Sequence, residues 1–216
     1  MKRGLFIVFE GTEGAGKSVQ AELLGNRLRE TGKKVVVTRE PGGTRIGEQI
    51  RAITHDTKNV DLDPIAEAYL MAASRAQHVR EIIAPALADG NIVITDRFVD
   101  SSIAYQGYGR NLGVTQIAEL NELAVNGAKP DLVILLDVPP SVGLARLEKE
   151  GKQKDRLDTQ QRDFYDRVRQ GYLALAKNNS SRYVVVDATK SAEEVASSVW
   201  RVVRDALARR NEESKK

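Results

Sequence analysis

Short, nearly unbroken apolar runs alternate along this chain with longer stretches in which apolar residues recur every three or four positions. The runs Leu5-Phe6-Ile7-Val8-Phe9, Val35-Val36-Val37-Thr38, Ile92-Val93-Ile94-Thr95, Leu132-Val133-Ile134-Leu135-Leu136 and Tyr183–Asp187 read as five strands. The second reads as buried, and the fourth, the most apolar, as central or next to the centre. Helical spacing follows each of the first four. Val19, Leu23, Leu24 and Leu28 mark a first helix that Gly32 ends, and a helical stretch reaches about Thr54 before a polar connection over residues 55–62. Asp63 as cap and Pro64 at the first position start a long helix through Ile65, Ala68, Tyr69, Ala72, Ala76, Val79 and Ile83, which Pro85 is expected to kink or break and Gly90 to close. Further helices are expected at about 114–126, at 141–150, and through Phe164, Val168, Tyr172 and Leu175. Ser191 and Glu194 form a capping box before a last helix, and the tail from Arg209 is expected to fray. Strands alternating with helices require a parallel sheet with right-handed crossovers, hence a three-layer α/β/α domain around five strands.

Composition narrows this only slightly. A chain of 216 residues, 41% hydrophobic and 29% charged, without repeats, suits one globular domain spanning 1–216. It has no cysteine, so a disulfide framework and thiolate metal sites are excluded, and only His55 and His78 remain as imidazole ligands, too few for a zinc site. Neither a signal peptide nor a membrane-spanning run is visible, and a cytoplasmic location is expected. The net charge of +3 comes from 33 basic and 30 acidic residues that are interspersed. That distribution favours small phosphorylated ligands over nucleic acid or membrane as partners.

The chemistry begins with Gly11-Thr12-Glu13-Gly14-Ala15-Gly16-Lys17-Ser18, which fits G-x-x-x-x-G-K-[ST] between a strand and a helix, the context of a P-loop that binds a nucleoside triphosphate. Its backbone N–H groups and the helix start favour phosphate; Lys17 reaches the outer phosphates and the Ser18 hydroxyl holds Mg²⁺. Asp96, ending the third strand, suits the same Mg²⁺, and Glu40, in the loop Arg39–Thr44 after the second strand, is a further candidate for the metal and for the ligand pocket. Arg39, Arg51, Arg75, Arg97, Arg110 and Arg156 supply more cationic groups on ligand-edge loops than one triphosphate needs, so two phosphate-bearing ligands are expected. Arg97 is placed to lie between donor and acceptor phosphates and offset their repulsion.

Taken with Arg39-Glu40-Pro41-Gly42-Gly43-Thr44, the segments Ala73-Ser74-Arg75-Ala76-Gln77-His78, Asp96-Arg97-Phe98, Ser101–Gly107 and Asp155-Arg156-Leu157-Asp158 make the chain resemble the thymidylate kinase (dTMP kinase) family over nearly its whole length. The resemblance implies a P-loop NTPase-like fold, ATP and Mg²⁺, and transfer of the ATP γ-phosphoryl group to dTMP. Carried onto this sequence, it implies that Arg51 binds the acceptor phosphate, that Arg75 and Gln106 with Ser102 read the thymine ring, and that Tyr105 crowds the ribose 2′ position. The phosphate loop has no basic residue between Gly11 and Gly16, which resembles the bacterial type, with its catalytic arginine in a lid at about 149–160; Arg156 matches that position, amid Lys149, Lys152 and Lys154. Catalysis then falls to Lys17, Arg97 and Arg156 by positioning and charge neutralisation, with no general base. Met71 stands where the family places a stacking aromatic, Val19 where a second hydroxyl is common, and Leu157 where the lid often has an aromatic. Family members are typically dimers, and the helix from Pro64 is the expected contact face. Three alternatives stay open on residues alone. They are another nucleotide or deoxynucleoside kinase on this fold, a nucleotide switch, for which neither N-K-x-D nor D-x-x-G is present, and a nucleic-acid-binding ATPase.

Overall fold

Five strands form one parallel sheet in the computed structural model, which describes residues 3–151, 155–156 and 161–213. They are β1 (Phe6–Glu10), β2 (Val35–Arg39), β3 (Ile92–Asp96), β4 (Leu132–Asp137) and β5 (Tyr183–Asp187), in the spatial order β2-β3-β1-β4-β5. β4 therefore lies beside the centre, as its apolar run predicts. The register sets Phe9 and Arg39 on either side of Asp96, so the loops leaving β1, β2 and β3 emerge together. β2 departs from expectation: it is an edge strand, and Val35, Val36 and Val37 are only half-buried. A β-branched run favours an extended backbone at the edge and in the middle of a sheet alike.

Helices α1 (Lys17–Glu30), α2 (Arg45–His55), α3 (Pro64–His78), α4 (Ala84–Ala88), α5 (Val99–Ser102), α6 (Val114–Val125), α7 (Pro140–Lys149), α8 (Arg162–Asn178) and α9 (Ala192–Glu213) connect and flank the strands. Strand side chains alternate between two clusters. Phe6, Val8, Val93, Val133 and Leu135 pack with Ala68 of α3, Ile117 of α6 and Phe164, Val168 and Tyr172 of α8. Ile7, Phe9, Ile94, Ile134 and Leu136 pack with Leu24 and Leu28 of α1 and Val195, Val199 and Val203 of α9. Two apolar faces on one sheet give the three expected layers.

The caps behave as the sequence predicts. The Asp63 carboxylate accepts the N–H groups of Ile65 and Ala66 at 2.7 and 3.3 Å. Ser191 and Glu194 exchange reciprocal hydrogen bonds ahead of α9. Pro85 does not break its helix: Val79–Ile83 widens into a π-helical turn that runs directly into α4, with Pro85 in its first turn. A second π-helical stretch, Ile103–Gly109, follows α5 where the sequence signals no element; its wider turn does not carry the 3.6-residue apolar spacing. α9 runs on to Glu213, and Arg210 donates to the carbonyls of Arg3 and Gly4, so the helix continues past Arg209, while Ser214, Lys215 and Lys216 of the expected tail lie outside the described residues. Of the expected lid, Asp155 and Arg156 are described, whereas Lys152, Lys154, Leu157 and Asp158 lie outside the described residues. Among the described residues, no helix is long and apolar enough to cross a membrane.

Candidate active site

The three loops that leave β1, β2 and β3 at the carboxyl edge surround a cavity of about 370 Å³. Its wall holds Glu13, Gly14, Gly16, Lys17 and Ser18 of the phosphate loop, Asp96 and Arg97 at the end of β3, and Glu40, Met71, Arg75, Ser102, Tyr105 and Gln106. The phosphate loop is shaped by close backbone approach. Gly14 has φ +70°, and a Cβ there would stand 2.0 Å from the carbonyl oxygen of Gly143, so only glycine lets the loop back onto α7. Buried Lys17 donates to the Thr12 carbonyl at 2.8 Å across the loop, and burial, reinforced by Arg97, pushes its pKa down. Such an ammonium is held in place before any anion arrives.

Ser18 Oγ donates to Asp96 Oδ2, while Asp96 Oδ1 is buried without a hydrogen-bond partner among the described residues. A hydroxyl and a carboxylate with one unmatched oxygen are the hard oxygen donors that Mg²⁺ takes, and such a site draws its remaining ligands from phosphate and water. Among the described residues there is no cluster of three or more His, Asp or Glu side chains able to hold an ion alone. Glu40, the other expected metal candidate, is committed elsewhere: its two oxygens pair with Arg75 Nε at 2.8 Å and His78 Nδ1 at 2.9 Å.

Arg97 follows β3 with φ +74°, an unusual backbone for a side chain this large, and this turns its guanidinium back across the top of the sheet. Nη1 donates to the Gly11 carbonyl, Ser101 Oγ and Tyr172 Oη, each at 3.1 Å, and Nη2 to Glu13 at 2.5 Å and Tyr105 Oη at 3.1 Å. Burial disfavours both charges of the Arg97–Glu13 pair. The attraction prevails: Glu13, with Arg97 and Lys17 beside it, is held at a pKa of about 2, and Arg97 rises further above its ordinary value.

Beneath this pair lies Glu10, the last residue of β1 and fully buried. It accepts from the N–H groups of Phe98 and Ser101 at 2.9 and 3.2 Å, from Ser101 Oγ at 2.6 Å and from Tyr172 Oη at 2.9 Å. Burial, and then the charge of Asp100, push its pKa up to about 7.

Arg75, also in the cavity wall, is buried on α3 and clamped by Glu40, by Ser102 Oγ at 3.0 Å, by Asn121 of α6 and by the Phe98 carbonyl at 3.0 Å. Five donors in a fixed fork and four such bonds leave one N–H for a ligand. Met71 lines the same wall and is buried. Tyr105 is likewise buried, edge-on to Phe164 and Tyr172. Gln106 Nε2 donates to Glu67 at 2.7 Å. Arg51, on α2, donates to the Pro41 carbonyl at 3.1 Å beside His55, whose pKa is pushed down to about 4 by burial and then by Arg51.

Arg110 does not line the cavity, and neither does Arg156, the expected lid arginine. Its guanidinium is buried and pairs with Glu67, while its Nε donates to the Thr54 carbonyl at 2.9 Å and its N–H to the His55 carbonyl at 3.1 Å. The acceptors left open at the end of α2 and the buried carboxylate of α3 capture it. Adjacent Asp155, not Arg156, lines the cavity.

Five residues that organise the site went unassigned in the sequence: Glu10, Glu67, His78, Asn121 and Tyr172. None belongs to a phosphate-binding pattern. Two carry a local signal: Glu10, a carboxylate at the end of the otherwise apolar run Leu5–Phe9, and His78, which closes the segment Ala73–His78.

The profile of a family described as "Thymidylate kinase" matches residues 9–199. A thymidylate kinase of Pelotomaculum thermopropionicum is 46% identical over 205 residues, covering 95% of each chain. One of Oenococcus oeni is 48% identical over 209 residues, covering 96% of this chain and 98% of its own. The crystal structure of thymidylate kinase from Ehrlichia chaffeensis superposes with a TM-score of 0.76 at 35% identity, covering 94% of this chain and 99% of that one. The chain therefore belongs to the thymidylate kinase family.

Proposed function

We propose that the chain transfers the γ-phosphoryl group of ATP to dTMP, giving dTDP and ADP, in one cavity that seats donor and acceptor on either side of Arg97. The observation that carries this reading is that one cavity wall holds a phosphate loop with a buried lysine, a clamped Arg75 with Gln106, and the Arg97 guanidinium, which bonds both Glu13 of that loop and Tyr105. The Gly11–Ser18 backbone and Lys17 hold the donor phosphates. Mg²⁺, held by Ser18 and Asp96 with phosphate and water, supplies charge neutralisation at the donor oxygens.

Arg51 takes the acceptor phosphate, Arg75 offers its remaining N–H to a ring carbonyl, and Gln106 meets the ring N–H. Tyr105, buried beside Arg97, limits the room at the sugar, and Met71 packs its polarisable thioether on the ring in place of an aromatic. Glu40 serves this pocket by aiming Arg75. The acceptor is already an anionic oxygen, so the protein has no proton to remove, and the reaction depends on alignment and on charge held in place by Lys17 and Arg97. Arg156 adds to that charge only once it leaves Glu67.

Residues 1–216 act as one domain, with a lid at about 149–160. ATP as donor and a cysteine-free chain suit the cytoplasm, and the exposed apolar side chains Ile65 and Tyr69, one turn apart on α3, suit a homodimer contact. The decisive test is turnover of dTMP, dUMP, UMP, dCMP, AMP and thymidine with ATP and Mg²⁺. dTMP is expected to be the best acceptor, and preference for any other overturns the assignment.

A further inference from the structure

Glu67 is fully buried on α3 and makes no contact with the cavity of its own. Its Oε1 accepts from Gln106 Nε2 at 2.7 Å, and its Oε2 pairs with Arg110 at 3.1 Å and with Arg156. Burial alone raises the pKa of a carboxyl, but here the hydrogen bonds from Arg156 and Gln106 and the charge of Arg110 prevail and hold it below the ordinary value. Glu67 is thus ionised and can only accept. A carboxamide presents a donor and an acceptor that exchange places when it flips, so an acceptor on one side dictates what faces the other.

We propose that Glu67 is a specificity-determining positioning residue: it fixes the amide of Gln106 with NH₂ inward, leaving the carbonyl oxygen to accept from the acceptor base. The inference rests on the assignment of Gln106 to the base. An oxygen at that place matches a pyrimidine whose ring nitrogen N3 carries a proton, as in thymine and uracil. It opposes cytosine, whose N3 has only a lone pair, and two facing acceptors leave both buried and unpaired. Arg110 and Arg156 act behind Glu67 by keeping it ionised, so charges remote from the base select the hydrogen-bonding edge the enzyme accepts.

The test compares dUMP with dCMP, which differ only at N3 and the 4-substituent, in wild type, Glu67→Gln, Gln106→Ala and the double variant. Glu67→Gln is expected to lower the ratio of kcat/KM for dUMP over dCMP about tenfold, the worth of one mismatched buried hydrogen bond. Gln106→Ala should lower it similarly, and the double variant no further than the worse single one. KM for ATP should not move. If Gln106→Ala keeps the wild-type ratio, both the base assignment and this inference fall; if Gln106→Ala loses it while folded Glu67→Gln keeps it, only the role of Glu67 falls. Should Glu67→Gln fail to fold, Glu67→Asp preserves the charge for the two arginines but withdraws it from Gln106, and the same ratio decides.

Discussion

Glu13 of the phosphate loop and Arg97 at the end of β3 are joined by an ion pair of 2.5 Å. The loop to which the donor is assigned therefore also holds the arginine assigned to the gap between donor and acceptor. Arg97→Lys removes the fork that reaches Glu13, Gly11 and Tyr105 together, and should lower kcat about 100-fold while KM for ATP stays within about threefold. Glu13→Gln, which leaves Arg97 charged but loosely held, should cost kcat about tenfold. Steady-state kinetics with ATP and dTMP separate the two; an unchanged kcat in Arg97→Lys removes Arg97 from the chemistry.

The unmatched Oδ1 of Asp96 makes a second expectation. Asp96→Asn keeps the shape and the bond to Ser18 but halves the donor quality of the site, and should raise the Mg²⁺ concentration for half-maximal activity about tenfold. Titrating Mg²⁺ at saturating ATP and dTMP measures this, and an unaltered midpoint places the metal elsewhere.

Glu10 ties stability to pH. Its pKa is about 7 in the fold against 4.5 ordinarily, so the folded protein binds the proton more tightly than the unfolded chain. That contribution is complete below pH 4.5 and is lost as pH rises through 7, a change of about 3 kcal/mol. Glu13, held at about 2, works in the opposite sense but only below pH 4.5. Between pH 5 and 8 the melting temperature of wild type should fall relative to that of Glu10→Gln. A constant difference across that range shows that Glu10 does not titrate there.

Arg156→Ala takes one of two arginines from a buried carboxylate and should cost about 3 kcal/mol of stability. It should also raise KM for dTMP through Glu67 and Gln106. Denaturant melts and kinetics in parallel check this; a loss confined to kcat, at unchanged stability, shows instead that the guanidinium works at the phosphates.

Tyr69 is exposed on α3, one turn from exposed Ile65. If two copies meet there, Tyr69→Glu should shift sedimentation velocity from dimer towards monomer. Wild type sedimenting as a monomer disproves the contact.

The strands, the caps at Asp63 and Ser191 and the phosphate loop were legible because each is a local signal: an apolar run, a side chain beside the N–H it accepts, a fixed spacing of glycines. The two π-helical turns were not, because a wider turn leaves no apolar period. The partners of Glu40 were hidden for a different reason. A carboxylate after a strand is equally suited to a metal or to an arginine, and only the fold brings Arg75 and His78 to it. Arg156 was found by its motif, but its partner Glu67 lies 89 positions away, beyond any pattern in the chain.

Gly143, in the first turns of α7, lines no part of the cavity, yet a Cβ placed on it would stand 2.2 Å from the carbonyl oxygen of Glu13. A single methyl group there has nowhere to go but into the backbone that carries Glu13, and Glu13 carries Arg97. In the proposed seating of donor and acceptor, the spacing between the two nucleotides is thus calibrated from the rear of the loop, by the absence of a side chain on a helix that packs against it.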